Sequence, residues 1–364
     1  MSERTPLYEQ IKQALNEEID AGRFDPAVPF VTQREVCDRF GVSTITAVRA
    51  LNDLVAAGVL VRRRGQGTFV ADLERRRGPA VAGGAVACIV NGLHGLRGAH
   101  LANILAIAEA VCAEQGYQLV LSNSAESAER EERALRRALD QGVRGILLYP
   151  VQGRVHPDAL TEVRRRRVPL VMIDRYRPDV PTDAVVADNS DLAYRLTTHL
   201  IERGHERVAT LWGETECTSV VERQTGHVRA LRDHQLAIRP DLTVLRPYEP
   251  LDDKPRLALL SSLLQSAEPP SVLLCANGYV LARAAEDLAT LGFRVPDDLE
   301  LACMDDSGPY DSLRLTSVEG ILPSVDMASQ AMDLLLRRMT SPRPYAATPR
   351  HVVIGVDIRE PAVR

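Results

Sequence analysis

Apolar residues recur at helical spacing in the first part of the chain and in short unbroken runs thereafter. Leu7, Ile11, Leu15 and Ile19 stand four apart, one face of a helix, and Gly22 follows as a stop. Thr32 precedes Glu35 by three positions, a capping-box pattern that opens a second helix, and Gly41 makes a turn. Ser43 caps a predicted third helix with Ile45, Val48, Leu51, Leu54 and Val55 on its buried side, ended by Gly58. "VLVRRR" and "GTFVA" then flank Gly65-Gln66-Gly67 and predict a hairpin. Three helices and a hairpin make an α+β winged helix-turn-helix over residues 1–71.

Residues 72–84, "DLERRRGPAVAGG", have charges, Gly and Pro without a period and read as a flexible tether. Beyond it the pattern changes. "AVACIV", "QLVLS", "GILLYP", "PLVMID", "RVATLW", "SVLLCA" and "LELACM" are short runs suited to strands buried on both faces of parallel sheets. Between them lie helices such as 103–114 and 191–203, the first with Ile104, Leu105, Ala108, Val111 and Cys112 on one face. Residues 85–364 therefore predict a multistranded α/β unit whose ligands bind beyond the carboxyl ends of the strands.

A chain of 364 residues with 45% hydrophobic and 26% charged content suits two or three globular domains. No apolar run of about 18 residues predicts a membrane span. The opening residues Met1 to Glu9 are polar, and six scattered cysteines without a CxxC pair read as reduced thiols. Both point to the cytoplasm.

Charge becomes informative when divided. Residues 1–77 carry 12 Lys/Arg against 11 Asp/Glu and residues 78–364 carry 32 against 38, in a chain of net charge −5. Between Arg39 and Val70, however, five arginines face one acid, Asp53. An arginine run alone is usually a solvated face. Here Arg62, Arg63 and Arg64 sit at a glycine hairpin directly after a helix-turn-helix pattern, where a slim tip can enter a groove and meet phosphates. Ser43, Thr44 and Thr46, with Arg49 beside them, suit phosphates and base edges. Double-stranded DNA is the partner these residues predict.

Catalytic patterns are weak. Asp305-Asp306 could be a carboxylate pair, but adjacent residues at a strand end point opposite ways. "GLHGLRG" at 92–98 lacks both GxGxxG and a Gly-Lys-Ser/Thr ending, and neither GxSxG nor HExxH occurs. The chain has two lysines, Lys12 and Lys254, neither at the end of a buried strand where a Schiff base would form. Arg164, Arg165, Arg166 and Arg167 read as a solvated helix end. The expectation is a binding protein with no metal, no cofactor and no catalytic residue.

The first 70 residues resemble the DNA-binding domain of the GntR family of bacterial regulators, through "PLYEQIKQAL", "TQREVCDRFGVS" and "LVRRRGQGTFVA". The resemblance implies DNA contacts from Thr32, Gln33 and Arg34, from Ser43, Thr44, Thr46 and Arg49, and from Arg64, Gly65 and Gln66 at a wing tip in the minor groove. Thr44 and Val48 stand where that family usually carries arginines, so the bases read should differ.

The remaining 280 or so residues resemble the effector domain of the LacI/GalR family, itself similar to periplasmic sugar-binding proteins. The match lies in "VVADNSDLAYRLTTHLIERGHERVATL", "VVERQTGHVRAL", "PPSVLLCANGYVLARAAEDLATLGFRVPDDLELACMDD" and "LRLTSVEG". It implies two α/β lobes, one of about 85–187 and 320–341 and the other of about 188–319 and 342–364. The three crossings would fall near Asp188, Val318 to Ile321 and Pro342 to Pro349. It also implies an effector between the lobes, held by Asp174, Arg223, Asn277 and Asp305, with Tyr248 as a stacking aromatic. Convergent carboxylate, amide and guanidinium groups suit a polyol. Gly278 replaces a usual aspartate, and His94, Arg97 and His100 near the cleft mouth leave room for a sugar phosphate.

The joined architecture is similar to arabinose-repressor-type regulators. It predicts an effector-controlled repressor of carbohydrate genes, a homodimer on a near-palindromic operator. A hydrolase acting on the cleft ligand and a binding module that never meets DNA are the alternatives. Turnover of a bound sugar would mark the first, and an idle wing the second.

Overall fold

The computed structural model describes residues 7–20, 29–56, 59–63, 67–70, 84–92, 99–153, 157–243, 245–341, 344–345 and 347–360. The chain divides into two compact units, Met1–Ala80 and Val81–Arg364.

In the first unit, helices α1 (Leu7–Asp20), α2 (Gln33–Phe40) and α3 (Thr44–Ala56) precede an antiparallel hairpin of β1 (Leu60–Arg63) and β2 (Gly67–Val70), with Leu60 opposite Val70 and Arg63 opposite Gly67. Ile11, Leu15, Ile19, Val36, Ala47, Ala50, Leu51 and Leu54 form its core. The capping box forms: Glu35 N donates to Thr32 Oγ1, and Thr32 N donates to Glu35 Oε2. Gly41 ends α2 in the left-handed region at φ 62°, a conformation that favours glycine. Two of the helix-face expectations fail. Leu7 is 58% exposed and Ile45 82% exposed. The stripe of α3 that meets the other helices begins at Ala47 and continues through Ala50, Leu51 and Leu54, two positions later than the apolar spacing suggests, so Ile45 lies outside the packed surface.

The second unit contains two sheets. A six-stranded, all-parallel sheet has the order β12-β7-β6-β5-β3-β4, from β3 (Ala85–Val90), β4 (Gln118–Asn123), β5 (Gly145–Leu148), β6 (Leu170–Ile173), β7 (Asp183–Ala187) and β12 (His351–Ile354). A five-stranded sheet has the order β13-β11-β10-β9-β8, from β8 (Val208–Leu211), β9 (Val272–Cys275), β10 (Glu300–Cys303), β11 (Thr316–Ile321) and β13 (Asp357–Arg359), the last antiparallel. All seven apolar runs picked out above are strands. Alternate residues of the larger sheet serve opposite faces. Ala87, Ile89, Ile146, Leu148 and Met172 enter one core, while Val86, Cys88, Val90, Leu147, Val171 and Ile173 enter another. Around them pack α4 (Ala99–Glu114), α5 (Ala128–Asp140), α6 (Pro157–Arg165) and, arriving from far along the chain, the helix Ser324–Thr340. The smaller sheet carries α7 (Asn189–Glu202), α8 (Thr218–Asp233), α9 (Pro240–Thr243), α10 (Asp253–Leu264) and α11 (Gly278–Thr290); Ser324–Thr340 is α12.

The chain passes between the sheets after β7, after β11 and after β12. The third passage corrects the expectation of a crossing at Pro342 to Pro349. His351 to Ile354 pair in register with Ala184 to Ala187, so β12 completes the first lobe and the passage falls at Gly355 and Val356. The described residues just before β12, Pro344, Tyr345 and Ala347 to Arg350, also bond to the first lobe, Tyr345 OH donating to the Val168 carbonyl at 2.6 Å. Arg338 on α12 binds Asp183 through both carboxylate oxygens and donates to the carbonyls of Pro344 and Thr348, while Arg350 N donates to Asp183.

Candidate functional site

On the first unit the residues expected to meet DNA fall into two groups. Arg34 is the open one: its side chain is 92% exposed, with Asp38 3.9 Å away, and Gln33 is also exposed. Thr32 is spent on the cap. Ser43 Oγ lies 3.0 Å from Thr46 Oγ1 and accepts from Thr46 N, so these two hydroxyls hold the start of α3. Thr44 is exposed beside Cys37. The Arg49 guanidinium stacks 4.1 Å from the centroid of the Tyr8 ring, which turns it toward α1. Arg64, Gly65 and Gln66 lie outside the described residues.

In the second unit the strand ends bring charges together between the lobes. Asp174 follows β6 with φ 72°, a left-handed backbone uncommon for a residue with a side chain and a form of strain found at functional sites. Its Oδ1 lies 2.9 Å from His100 Nε2, and His100 Nδ1 lies 2.8 Å from Ser324 Oγ. Burial would raise the Asp174 carboxyl; the His100 hydrogen bond and the charges of His100, Arg175 and Arg223 outweigh it and hold the group below its usual range. Tyr149, at the end of β5, hydrogen-bonds the same carboxylate, and burial followed by that charge pushes its phenol well up.

From the second lobe comes Arg223 on α8, only 6% exposed. Its Nε donates to Asn189 Oδ1 at 2.9 Å, one terminal nitrogen donates to the Ala276 carbonyl at 2.8 Å, and the other meets Asp305 at 2.7 Å. Asp174 and Arg223, from opposite lobes, stabilise each other's charge. A direct link between lobes is Arg175, whose two terminal nitrogens donate to both oxygens of Glu214 at 2.8 Å each. Beside it Gln152 Oε1 accepts from Thr215 N, and Tyr176 OH donates to Glu222 at 3.2 Å.

Asp174, Arg223 and Asp305 thus converge. Asn277 stands next to them as the cap of α11, its Oδ1 accepting from Val280 N at 2.9 Å. Gly278 follows, and a Cβ there would lie 2.7 Å from the Tyr310 ring, so glycine admits that ring against the helix start. Tyr248 departs from its expected role. It is 1% exposed in the core of the second lobe, with its phenol donating to Asp287, which also binds Arg256. A ring with both faces packed in a core cannot stack on a ligand. Asp305 and Asp306 do diverge, toward Arg223 and Arg359. His94 and Arg97 lie outside the described residues. Arg175, Glu214 and Tyr149 were not singled out in the sequence; the one available signal was that Arg175 and Tyr149 end or follow buried strands. Among the described residues no cluster of His, Cys, Asp and Glu could hold a metal ion, and no helix is long and apolar enough to cross a membrane.

Comparison with known proteins gives the class. Residues 7–70 match the bacterial regulatory proteins of the gntR family, and residues 197–360 match the periplasmic binding protein-like domain. The chain is a transcription regulator that joins a GntR-type helix-turn-helix to a periplasmic-binding-protein-like unit. It is similar over nearly its whole length to the arabinose metabolism transcriptional repressor of Geobacillus stearothermophilus, 27% identical over 349 residues that cover 93% of this chain and 92% of that one. The HTH-type transcriptional repressor PurR of Haemophilus influenzae is 28% identical over 244 residues, 66% of this chain and 70% of the relative. Among solved structures, the complex of the transcriptional regulator CelR with cellobiose superimposes with a TM-score of 0.65 at 22% identity, covering 87% of this chain and 90% of that one. That last likeness is one of fold.

Proposed function

We propose that the protein is a cytoplasmic, non-enzymatic repressor that binds a near-palindromic operator as a homodimer and is released by a neutral sugar closing between its lobes. The arabinose and cellobiose in the names of its relatives support a carbohydrate effector. The observation that carries the choice is the state of the two cleft arginines. Arg175 faces Glu214 and Asp174, and Arg223 faces Asp305. A phosphate would have to displace a carboxylate from a buried guanidinium, whereas hydroxyls can both donate to the carboxylates and accept from the arginines. One winged helix makes few phosphate contacts, which supports two half-sites and a dimer.

Thermal-shift screening of the full chain against neutral sugars and sugar phosphates tests this. A neutral sugar at about 100 times its Kd should add about 2.7 kcal/mol to native stability and raise the Tm. It should also release the protein from operator DNA. Stabilisation by sugar phosphates alone would overturn the choice of ligand, and hydrolysis of the bound sugar would overturn the non-enzymatic reading.

A further inference from the structure

The first turn of α3 carries an isoleucine that the fold does not use. Ile45 is 82% exposed, while the helix buries Ala47, Ala50, Leu51 and Leu54. Its polar neighbours are largely committed: Ser43 and Thr46 bind each other, and Arg49 stacks on Tyr8. Among the described residues of this turn, Thr44 and Ile45 are the exposed side chains free of those ties.

We propose that Ile45 is a specificity-determining residue that reads the C5-methyl group of a thymine in the major groove. The inference rests on the reading of this unit as a DNA-binding domain. In a helix-turn-helix the N-terminal residues of the second helix of the motif meet base edges. The major-groove edges offer one apolar group, the thymine methyl, and an aliphatic side chain recognises it by excluding water from both surfaces. A branched four-carbon side chain at the exposed start of α3 has the right chemistry for that group and none for a phosphate. It distinguishes T·A from C·G by the methyl, and from A·T by the strand on which the methyl stands.

The test begins with selection of duplexes from a random library by the full-length protein without added sugar. In the enriched duplex each thymine is then replaced singly by deoxyuridine, which removes one methyl and keeps every hydrogen bond. Wild type should lose about three- to tenfold in affinity at one thymine of each half-site, the scale of one buried methyl and its partner surface. Ile45→Ala should bind the thymine duplex about as weakly as wild type binds the uracil one, and should be indifferent to uracil at that position. Ile45→Val should fall between. Because Ile45 is exposed, Ile45→Ala should leave the thermal melting curve unchanged, which separates recognition from folding. If every uracil substitution leaves wild-type affinity within about twofold, or if Ile45→Ala keeps the full uracil penalty, the assignment is overturned while DNA binding stands. Failure of wild type to enrich any sequence would overturn both.

Discussion

The two regions that carry function are built on opposite electrostatic plans. On the first unit, Arg34 points into solvent with its side chain 92% exposed. In the cleft, the side chain of Arg223 is 8% exposed and its nitrogens meet Asn189, Ala276 and Asp305. Under the proposed function the contrast follows from what each unit would bind, DNA at the first and a neutral polyol at the second. DNA brings its own negative charge and pays for the contact by releasing counterions, so an exposed cation is sufficient. A neutral polyol brings no charge, so the protein must hold its own charges in place before the ligand arrives.

The contrast can be broken most sharply at Arg223. Arg223→Ala should lower sugar affinity by about 10- to 150-fold through loss of charge-assisted bonds worth about 1.5–3 kcal/mol, with sugar-free operator binding unchanged. Titrating operator release with the sugar found by thermal shift measures this, and an unchanged midpoint would make Arg223 purely structural.

Acid should also separate the regions. All eight histidines lie beyond residue 80. His227 is fully buried against Thr197, and burial lowers its pKa from 6.5 to about 4. Between those values the unfolded chain binds a proton that the native state does not, so stability is full above about pH 6.5 and falls as pH drops toward 4. The loss from this group is up to about 3 kcal/mol, and it should appear in the second unit alone. Calorimetry across that range should show the second unit's transition moving down while the first stays put, and His227→Gln should flatten the slope.

Glu214→Gln tests the bridge between lobes. It keeps the shape and removes the charge that answers Arg175, and should weaken sugar binding about tenfold. The single tryptophan, Trp212, stands two residues from Glu214 and provides the fluorescence signal. Smallest of all, Arg34→Ala should weaken binding to every duplex similarly and reduce the salt slope by about one. A sequence-selective loss there would show that the open cation reads bases.

Much of this plan was legible in the chain, and the failures have physical causes. Asp174, Arg223 and Asp305 came from the resemblance to LacI/GalR effector domains. Asp174 and Asp305 follow buried strands, where ligands of doubly wound sheets bind, whereas Arg223 reaches the same place from the helix Thr218–Asp233. The bond from Arg175 to Glu214 spans 39 positions and two lobes, and depends on how far the lobes close, which no local pattern encodes. Tyr248 could be read as a ligand platform because an aromatic near a strand end suits either a cleft or a core. Its pairing with Asp287 decides for the core. Ile45 fits the helical period on paper, but a period gives a direction and not the place where a neighbouring helix begins. The strand at 351–354 was hidden behind prolines that looked like a passage.

That strand has a consequence for the life of the chain before it is a regulator. The edge of β7 waits for a partner that comes 164 residues later, counting from Ala187 to His351. During synthesis the second lobe can be complete through β11 while the first still presents a bare parallel edge, the kind of surface on which aggregates start. A premature stop after β7 and before residue 351 therefore yields a chain with an intact first unit and an unfinished first lobe. Such a fragment exposes an unpaired strand edge and so invites aggregation and proteolysis.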